Sequence, residues 1–412
     1  DLEERVALDG YLGGPDGRGD ANGALLAALA AHVQLTGDTV LADQLVGPVA
    51  KAAHWVGRTR RPRRAKRAPR LAGALPDGPG PRWCGGSGTW LRDLAWSLAG
   101  VEGAAAVLAL VDQPDAAADL VAQAADLRAD LDELITTATR DLGADRPGVA
   151  LAPQPDVGID RRVVASLEPL MLLGDLPPAL VDGTLDAVAD AAAHAGLIRE
   201  PATGGSSVAL TSVAALAAAA TRPGAATQRL RAAAFAGPGA GTWPEVVHPR
   251  TGGGVAGDPW HAPSAAWLLL ALRRLLLVEP GGCWWERSTP RPAIAAADPT
   301  AAVLDLVPIL SSSWVGAPFE VHALPASVGS VSYAVRWHGP RPALLWEIDP
   351  RSGVEGEPPL LVSSGLDPTW SARAWRGEAL LAPPVVVDHD HVHDDAHVHD
   401  HDGHDHDHGA HG

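Results

Sequence analysis

Apolar residues recur at helical spacing between Asp20 and Glu279, and glycine and proline separate the successive apolar segments. No alternation typical of strands interrupts this region. Segments of about 15 residues joined by short turns favour antiparallel neighbours, and such hairpins can close into a ring. The pattern predicts helices over Ala21–Thr36, Thr39–Thr59, Thr89–Leu110, Pro114–Arg140, Arg161–Leu173, Pro178–Ala195, Ser206–Thr221, Ala225–Phe235 and Pro263–Val278.

The pattern changes after Pro280, where the helical period ends. Valine, tyrosine and tryptophan occupy alternate positions in Val331–Trp337, which places them on one face of a strand. A turn at His338–Pro342 leads into Ala343–Ile348, so the two segments predict a β-hairpin. Further predicted strands are Phe319–Leu324, Leu360–Ser363 and Glu378–Leu381.

These patterns predict a mainly α protein with a toroid-like helical domain over residues 1–282 and a linker over residues 283–300. A small antiparallel β domain is predicted over residues 301–387, and a disordered His/Asp-rich tail over residues 388–412. With 412 residues, the chain is long enough for about two domains and a sizeable core.

The tail carries eight aspartates and ten of the 17 histidines. It cannot bury enough apolar surface to fold alone. Imidazole and carboxylate bind Zn²⁺, Ni²⁺ or Co²⁺, so loose metal binding and an inert acidic tail both remain open. We expect no required cofactor and no catalytic metal. The candidate metal ligands are His389, His391, His393, His397, His399, His401, His404, His406 and His408.

Net charge is −17, of which the tail contributes −8, so the rest of the chain is only mildly acidic. The run Arg58–Arg70 has eight basic residues in thirteen positions but no aromatic residue that would stack on a base. A solvated loop is therefore the preferred interpretation, with RNA or an acidic partner as the alternative. We expect no nucleic-acid partner, and the sequence leaves the oligomeric state open.

The two cysteines, Cys84 and Cys283, do not form a disulfide framework; they either pair or stay as buried thiols. No stretch of about 18 apolar residues free of charge or turn residues occurs, so no membrane partner is expected. We therefore expect a cytoplasmic protein. The chain begins at Asp1 and not at methionine, which leaves room for a lost export signal or an earlier domain.

Glu245 is the first candidate for chemistry. It follows Pro244, which restricts its backbone, and it precedes a Val-Val pair and three consecutive glycines that leave room for a ligand. Trp243 and His248 lie close by in the sequence, and aromatic and imidazole side chains are typical of sugar-binding clefts. The alternative is a structural glutamate that caps a helix or pairs with Arg250.

A second candidate group is Trp90, Arg92 and Asp93 at the start of an apolar helix. Arginine offers forked donors and aspartate offers two acceptors to the hydroxyls of one sugar ring, and tryptophan offers a stacking face. The alternative is a structural Arg–Asp ion pair.

A third group is Asp258, Trp260 and His261, directly before the last predicted helix. Trp260 and His261 would face the same space as Glu245. For Asp258 the alternative is a helix N-cap, and for His261 an ordinary structural histidine.

The segment Gly241–Leu270 contains Gly-Thr-Trp-Pro-Glu, a run of three glycines, Gly-Asp, Trp-His and an apolar helix. It resembles the last catalytic hairpin of six-hairpin glycosidases. Trp90-Leu-Arg-Asp93 is similar to the Trp-x-Arg-Asp element of glucoamylase-like enzymes of glycoside hydrolase family 15. The resemblance covers roughly residues 20–278.

This resemblance implies an (α/α)6 toroid and inverting hydrolysis of an α-glucoside, with Glu245 as the general base. It also implies that Arg92 and Asp93 hold the terminal sugar. The chain departs from the family in lacking a glutamate beside a tryptophan in a middle loop, so Asp156 and Asp160 are the candidate general acids. Asp160 is alternatively a helix cap.

Three hypotheses follow for the protein. The first is a glucoamylase-like glycoside hydrolase acting on a carbohydrate. The second is a non-catalytic carbohydrate-binding or scaffold protein. The third is a metal-handling protein whose working part is the tail.

Overall fold

The computed structural model of the protein describes residues 7–13, 17–62, 71–142, 163–237, 241–287, 289–295, 301–354 and 356–385. Short 3-10 helices cover Trp284–Glu286, Ala293–Ala295 and Ser312–Trp314. The α-helices in these residues are α1 Ala21–Thr36, α2 Thr39–Gln44, α3 Val46–Thr59, α4 Leu91–Leu110, α5 Pro114–Leu142, α6 Leu167–Leu172, α7 Pro178–Ala192, α8 Val208–Ala218, α9 Pro223–Phe235 and α10 Ala262–Leu276.

The strands of the described residues form four sheets. A two-stranded sheet pairs β1 with β2, and a five-stranded sheet has the order β3-β4-β5-β6-β7. Two four-stranded sheets have the orders β14-β13-β9-β8 and β10-β11-β12-β15. The strand bounds are β1 Gly78–Pro79, β2 Ser87–Gly88, β3 Ala193–His194, β4 Leu197–Arg199, β5 Ser206–Ser207, β6 Val246–Val247, β7 Gly254–Ala256, β8 Leu277–Val278, β9 Val303–Leu306, β10 Phe319–Ala326, β11 Gly329–His338, β12 Arg341–Pro350, β13 Leu360–Ser363, β14 Asp367–Arg373 and β15 Arg376–Leu380.

Helices α4 and α8 lie at the centre of the helical core because apolar and small residues cover almost their whole circumference. The outer helices are amphipathic. Helix α3 buries Val49 and Val56, and α5 buries Leu120, Leu127 and Leu131. Burying one apolar stripe of each outer helix against the central pair supplies the main stabilisation of this part of the fold.

Helices α1 and α4 run parallel and pack with their backbones close together. A Cβ atom on Gly23 would lie 2.3 Å from the Trp96 carbonyl, and one on Gly100 would lie 2.4 Å from the Gly23 carbonyl oxygen. Further along, a Cβ on Gly103 would lie 2.7 Å from the Ala30 Cβ. Because residue numbers rise together along both helices, their N-termini lie at the same end of the pair.

The two four-stranded sheets pack face to face as a sandwich with its own core. Tyr333, Val335 and Leu344 of one sheet pack against Leu306 and Leu361 of the other. Strands β9 and β13 pair in parallel, and the remaining neighbours in the sandwich are antiparallel. The predicted hairpin is confirmed, since β11 and β12 pair over ten residues with a two-residue turn that has Gly339 at a φ of 61°.

Helix α10 continues directly into β8, the edge strand of the sandwich. Polar contacts reinforce this connection. The Tyr333 hydroxyl donates to the Leu276 carbonyl oxygen over 2.8 Å, and Arg273 donates to the Pro325 carbonyl oxygen over 2.5 Å. Arg351 of the sandwich side donates to the Gln34 carbonyl oxygen of α1 over 3.1 Å.

The predicted mainly α class is wrong, because the chain is mixed α/β, with one five-stranded sheet and two four-stranded sheets in the described residues. No (α/α)6 toroid is shown by these residues. The strands from β3 to β8 are only two or three residues long. Such strands are too short to show an alternating apolar pattern, so they could not be predicted from the sequence.

Several element boundaries also differ from the prediction. The helix predicted over Thr39–Thr59 is interrupted at Leu45, which separates α2 from α3. Residues predicted as helix at Ser206–Ser207 and Leu277–Val278 are strands. Ser207 is also the N-cap of α8, where its Oγ accepts a hydrogen bond from the Leu210 amide.

Helix α4 is long and apolar enough to cross a membrane, but 72% of its most apolar window is buried inside the protein. That degree of burial is typical of the core helix of a soluble fold. Cys84 and Cys283 are both buried and are not joined to each other by a disulfide.

Candidate functional site

Two loops meet where strands β4, β5 and β6 pair, and this meeting brings two glutamates together. Glu200 directly follows β4, and Glu245 directly precedes β6. The Glu200 amide donates to the Gly205 carbonyl oxygen over 2.7 Å. Gly205 packs so closely on Val246 that a Cβ atom would lie 2.3 Å from its side chain. The five-stranded sheet therefore holds the two carboxyl groups in one region.

Glu245 is buried and held by the turn that follows β7. Its amide donates to the Asp258 carbonyl oxygen over 2.8 Å, and its Oε2 accepts from the Asp258 amide over 3.1 Å. Gly257 has a φ of 73°, and a Cβ there would lie 2.3 Å from Glu245 Oε2. Only glycine gives the carboxylate this close backbone approach.

Among the described residues, Glu245 pairs with Arg82, whose Nη1 lies 3.7 Å from Oε1, and not with Arg250, the partner named in the alternative interpretation. The Arg82 side chain is 80% exposed, so this pair is weak and the guanidinium can rearrange around a ligand. Its loop is fixed in place because the Ala202 amide donates to the Trp83 carbonyl oxygen over 3.0 Å. That bond joins the Arg82 loop to the Glu200 loop.

Glu200 is 4% exposed, and its Oε2 accepts a hydrogen bond from the Thr203 hydroxyl over 2.6 Å. Burial raises the pKa of Glu200, and the charge of Glu245 raises it further, whereas Thr203 and Arg82 lower it. The two carboxyl groups therefore interact electrostatically. Glu200 favours the protonated state more than an ordinary glutamate does.

His261 is the N-cap residue of α10, and its Nδ1 lies 2.8 Å from the Ser264 hydroxyl. Its amide donates to the Trp243 carbonyl oxygen over 3.0 Å. Burial lowers the pKa of His261, although the charges of Glu245 and Asp258 raise it. The imidazole is therefore mainly neutral at pH 7 and can both donate and accept a hydrogen bond.

The remaining predicted contacts of this loop lie around the same turn. Asp258 is not the helix N-cap; its Oδ1 accepts from the Trp260 amide over 2.8 Å. Trp260 is 75% exposed and presents an open aromatic face to solvent. His248 uses Nδ1 to accept from the Arg250 and Thr251 amides, both over 3.3 Å, which closes the turn between β6 and β7.

Arg92 and Asp93 lie in a separate buried ionic network. The Arg92 guanidinium donates to Asp93 over 3.0 Å, to Glu168 over 3.1 Å and to Asp20. Burial lowers the pKa of Arg92, but the three carboxylates together raise it above its ordinary value. The network joins the N-terminal turns of α1, α4 and α6.

The protonation of Asp93 is balanced by opposing effects. Burial raises the pKa of Asp93 to about 7, although the charge of Arg92 lowers it, and Asp20 and Glu168 raise it. Trp96 donates its indole N–H to Glu168, so an aromatic side chain of α4 completes the network. Each of the three Arg92 guanidinium nitrogens already donates a hydrogen bond to a carboxylate. The sugar-binding role of Arg92 and Asp93 therefore stays a prediction.

The structure thus brings Glu245, Asp258 and His261 together, with Trp243 and Trp260 on the same turn region. Trp90 is 2% exposed and packs with Cys84 and Ala165 in a small apolar cluster beside the Arg92 network. The loop from β1 to Trp90 connects the two groups, since it carries Arg82 beside Glu245 and ends at the first turn of α4.

Some predicted residues lie outside the described residues: Asp156, Asp160, His389, His391, His393, His397, His399, His401, His404, His406 and His408. Within the described ranges, no three His, Cys, Asp or Glu side chains converge as a metal site.

The sequence interpretation identified neither Glu200 nor Arg82 as a candidate site residue. A local indication existed for Glu200. It stands beside Pro201 and just before Gly204 and Gly205, much as Glu245 stands beside a proline and before glycines.

Comparisons with known proteins add little at this level. No protein-family model and no curated protein matches the chain. A solved structure of a glycosidase, a glutamate-to-alanine variant, is similar over 63% of this chain and 67% of its own, with 17% identity and a TM-score of 0.44.

Proposed function

We propose that the protein is a glycoside hydrolase-like enzyme in which Glu200 is the general acid and Glu245 is the general base. The observation that carries this proposal is the electrostatic interaction of two buried glutamates, in which burial and the charge of Glu245 raise the pKa of Glu200. Hydrolysis of a glycosidic bond requires one protonated and one ionised carboxyl group.

Glu200 is suited to the acid role because burial and the neighbouring negative charge keep its proton at higher pH. It would donate that proton to the glycosidic oxygen as the bond to the anomeric carbon breaks. The Thr203 hydroxyl, which donates to Oε2, orients the carboxyl group. Glu200 is preferred to Asp156 and Asp160 because its electrostatic interaction with Glu245 is seen within the described residues.

Glu245 is suited to the base role because one of its oxygens is fixed and the other is available. Oε2 accepts from the Asp258 amide, whereas Oε1 faces the exposed guanidinium of Arg82. A water molecule beside Oε1 would lose a proton to Glu245 while its oxygen attacks the anomeric carbon. The released sugar would then carry the inverted configuration.

The proposed substrate is an α-glucoside, following the resemblance of the Glu245 and Trp90 segments to glucoamylase-like enzymes. Trp243, Trp260 and His261 would contact the sugar near Glu245, since an aromatic face stacks on a pyranose and a neutral imidazole hydrogen-bonds its hydroxyls. Arg92 and Asp93 lie in the separate buried network, so their contact with the sugar stays a prediction.

The test compares Glu200→Gln and Glu245→Gln on maltooligosaccharides and on dinitrophenyl α-glucoside. Both variants are expected to lose about 10²- to 10⁴-fold in kcat on maltooligosaccharides. Glu200→Gln should retain activity on the dinitrophenyl substrate, because that leaving group needs no proton. Glu245→Gln should lose activity on both substrates.

Glu133→Gln, an exposed change on α5, is the matched control and should act as the native protein does. Proton NMR of the first product anomer tests inversion. Native activity that survives Glu245→Gln would refute the assignment of the base. A uniform loss on both substrates in Glu200→Gln would refute the assignment of the acid.

A second candidate is a non-catalytic carbohydrate-binding or scaffold protein. The observation that favours it is the use of Glu245 Oε2 to hold the turn at Gly257 and Asp258, which is a structural role. This function predicts binding of maltooligosaccharides in calorimetry with no reducing sugar released over days. Any release that Glu245→Gln abolishes would decide against it.

A further inference from the structure

A cavity lies between the helices and the sandwich, away from the Glu200–Glu245 region. Its volume is about 930 Å³. Helix α4 lines it from Leu98 to Leu110, and α1 lines it from Ala27 to Gln34, whereas their first turns carry the Arg92 network. Because the two helices are parallel, the cavity lies toward the opposite end of the pair.

The walls of this cavity combine methyl groups with an aromatic face. Ala30, Ala31, Ala99 and Ala106 line it, so both helices present short apolar side chains. Trp284 closes one side and is held there by edge-on contact with Trp96, their ring centroids lying 4.8 Å apart. A volume of this size with such walls accommodates an apolar ligand body of ordinary small-molecule dimensions.

Charged groups also line the cavity, and positive charge is in excess. Arg128, Arg287 and Arg351 supply three guanidinium groups, against the carboxylates of Glu102 and Asp175. Arg287 pairs with Glu102, and Arg128 pairs with Asp175 over 2.5 Å and with Asp132, which lies outside the lining, over 3.0 Å. These side chains are partly exposed, so a ligand anion can compete with the carboxylates for the guanidinium forks.

We propose that this cavity binds an amphipathic organic anion, with its apolar body against the alanine walls and Trp284 and its acidic group at Arg287. Such a ligand satisfies both halves of the lining, which a free sugar or a hydrocarbon does not. The site is separate from the proposed hydrolytic centre and does not depend on it.

The test uses anilinonaphthalene sulfonate, an aromatic body with one sulfonate, titrated into the full chain and followed by fluorescence. We expect saturable binding at one site. Ala106→Trp, which places an indole in the cavity from an exposed helix position, should weaken binding about tenfold or more. Ala118→Trp, an exposed change on α5 outside the lining, is the matched control and should bind as the native chain does.

Charge variants test the polar half of the site. Arg287→Gln should weaken binding several-fold, and Glu102→Gln should strengthen it because it frees Arg287. The uncharged phenylnaphthylamine should bind more weakly than the sulfonate. Circular dichroism of each variant confirms that it is folded, and Glu245→Gln should leave the affinity unchanged.

Native-like affinity in a folded Ala106→Trp protein would place the probe elsewhere and overturn the proposal. Equal affinity for the sulfonate and the uncharged probe, or an unchanged affinity in Arg287→Gln, would overturn the assignment of an anion. Failure of the native chain to bind the sulfonate probe would also overturn it.

Discussion

At the scale of single residues, Arg82 has the clearest consequence for activity, because it lies beside Glu245 and lowers the pKa of Glu200. Arg82→Met removes that positive charge and should raise the pKa of Glu200. A general acid works only while protonated, so the alkaline limb of the kcat/KM profile should move to higher pH. The profile on maltooligosaccharides measures this shift.

The matched control is Arg231→Met, an exposed change on α9, which should leave the alkaline limb in place. An unchanged limb in Arg82→Met, or one moved to lower pH, would contradict the role given to Glu200.

Asp93 makes stability depend on pH. Its pKa is about 7 in the folded protein because burial favours the neutral carboxyl group. In the unfolded chain, an aspartate releases its proton near pH 4, at about its ordinary pKa of 3.9. The folded state therefore binds more protons between these two values, and the free energy of unfolding falls as pH rises through this window.

Asp93→Asn should remove this contribution. The free energy of unfolding of the native chain, relative to the variant, should decline from about pH 4 to about pH 7 and then level off. Urea unfolding at several pH values measures the difference. Asp119→Asn, an exposed change on α5, should give a difference that is flat with pH, and a flat result for Asp93→Asn would be evidence against the raised pKa.

How far the site could be predicted depends on the distance of the partners along the chain. Glu245 and Asp258 lie thirteen residues apart, so one turn indicated both. Glu200 lies in the same region as Glu245 only because β5 pairs with both β4 and β6. No local sequence pattern predicts that pairing. Likewise, Arg92 is bonded to Asp20, which lies 72 residues away, and the sequence could not show that its donors are occupied.

At the scale of elements, the close packing of α1 on α4 depends on Gly23. A Cβ atom there would lie 2.3 Å from the Trp96 carbonyl group, which is backbone and cannot move independently. Gly23→Ala should therefore lower the free energy of unfolding by about 1 to 3 kcal/mol, as overpacking of a tight interface does. Urea unfolding measures the loss.

Gly47→Ala is the control, since Gly47 lies in α3 with open space around it. The same substitution there should stabilise the protein by about 0.5 kcal/mol through helix propensity alone. If Gly23→Ala were neutral or stabilising, the two helices would be further apart than described.

Elements with long, regular patterns were predictable and short ones were not. The β11–β12 hairpin has ten-residue strands with one buried face, and its alternation was visible in the sequence. The five-stranded sheet consists of strands of two or three residues within loops. An alternation of apolar and polar residues is not recognisable over so few positions. The α class was therefore wrong although most predicted helices exist.

At the scale of the whole molecule, the helical part and the sandwich are joined because α10 continues without a loop into β8, the edge strand of the sandwich. The division near residue 282 stays a prediction, but a chain that ends there would lose the Pro325 acceptor of Arg273 and the Ser327 donor to Glu279. Arg273 and Glu279 would keep their mutual ion pair, but each would lose a buried hydrogen bond, and an unmade buried hydrogen bond is costly. We expect such a chain to melt at a clearly lower Tm than the full chain, which calorimetry measures.

A chain ending at residue 387 is the matched control, since it lacks only the predicted His/Asp-rich tail, and its Tm should equal that of the full chain. The full chain should show one calorimetric transition. Two well-separated transitions, or an unchanged Tm in the chain that ends at residue 282, would show that the two parts are independent.

Arg273 also bears on how the protein is made. Its acceptor at Pro325 lies 52 residues further along the chain and leaves the ribosome later than α10. During synthesis, Arg273 can already pair with Glu279, but the Pro325 carbonyl that accepts its second hydrogen bond does not yet exist. Helix α10 can make all of its native contacts only after residue 325 has left the ribosome. A pause in translation between these residues would therefore prolong a partly folded, aggregation-prone intermediate.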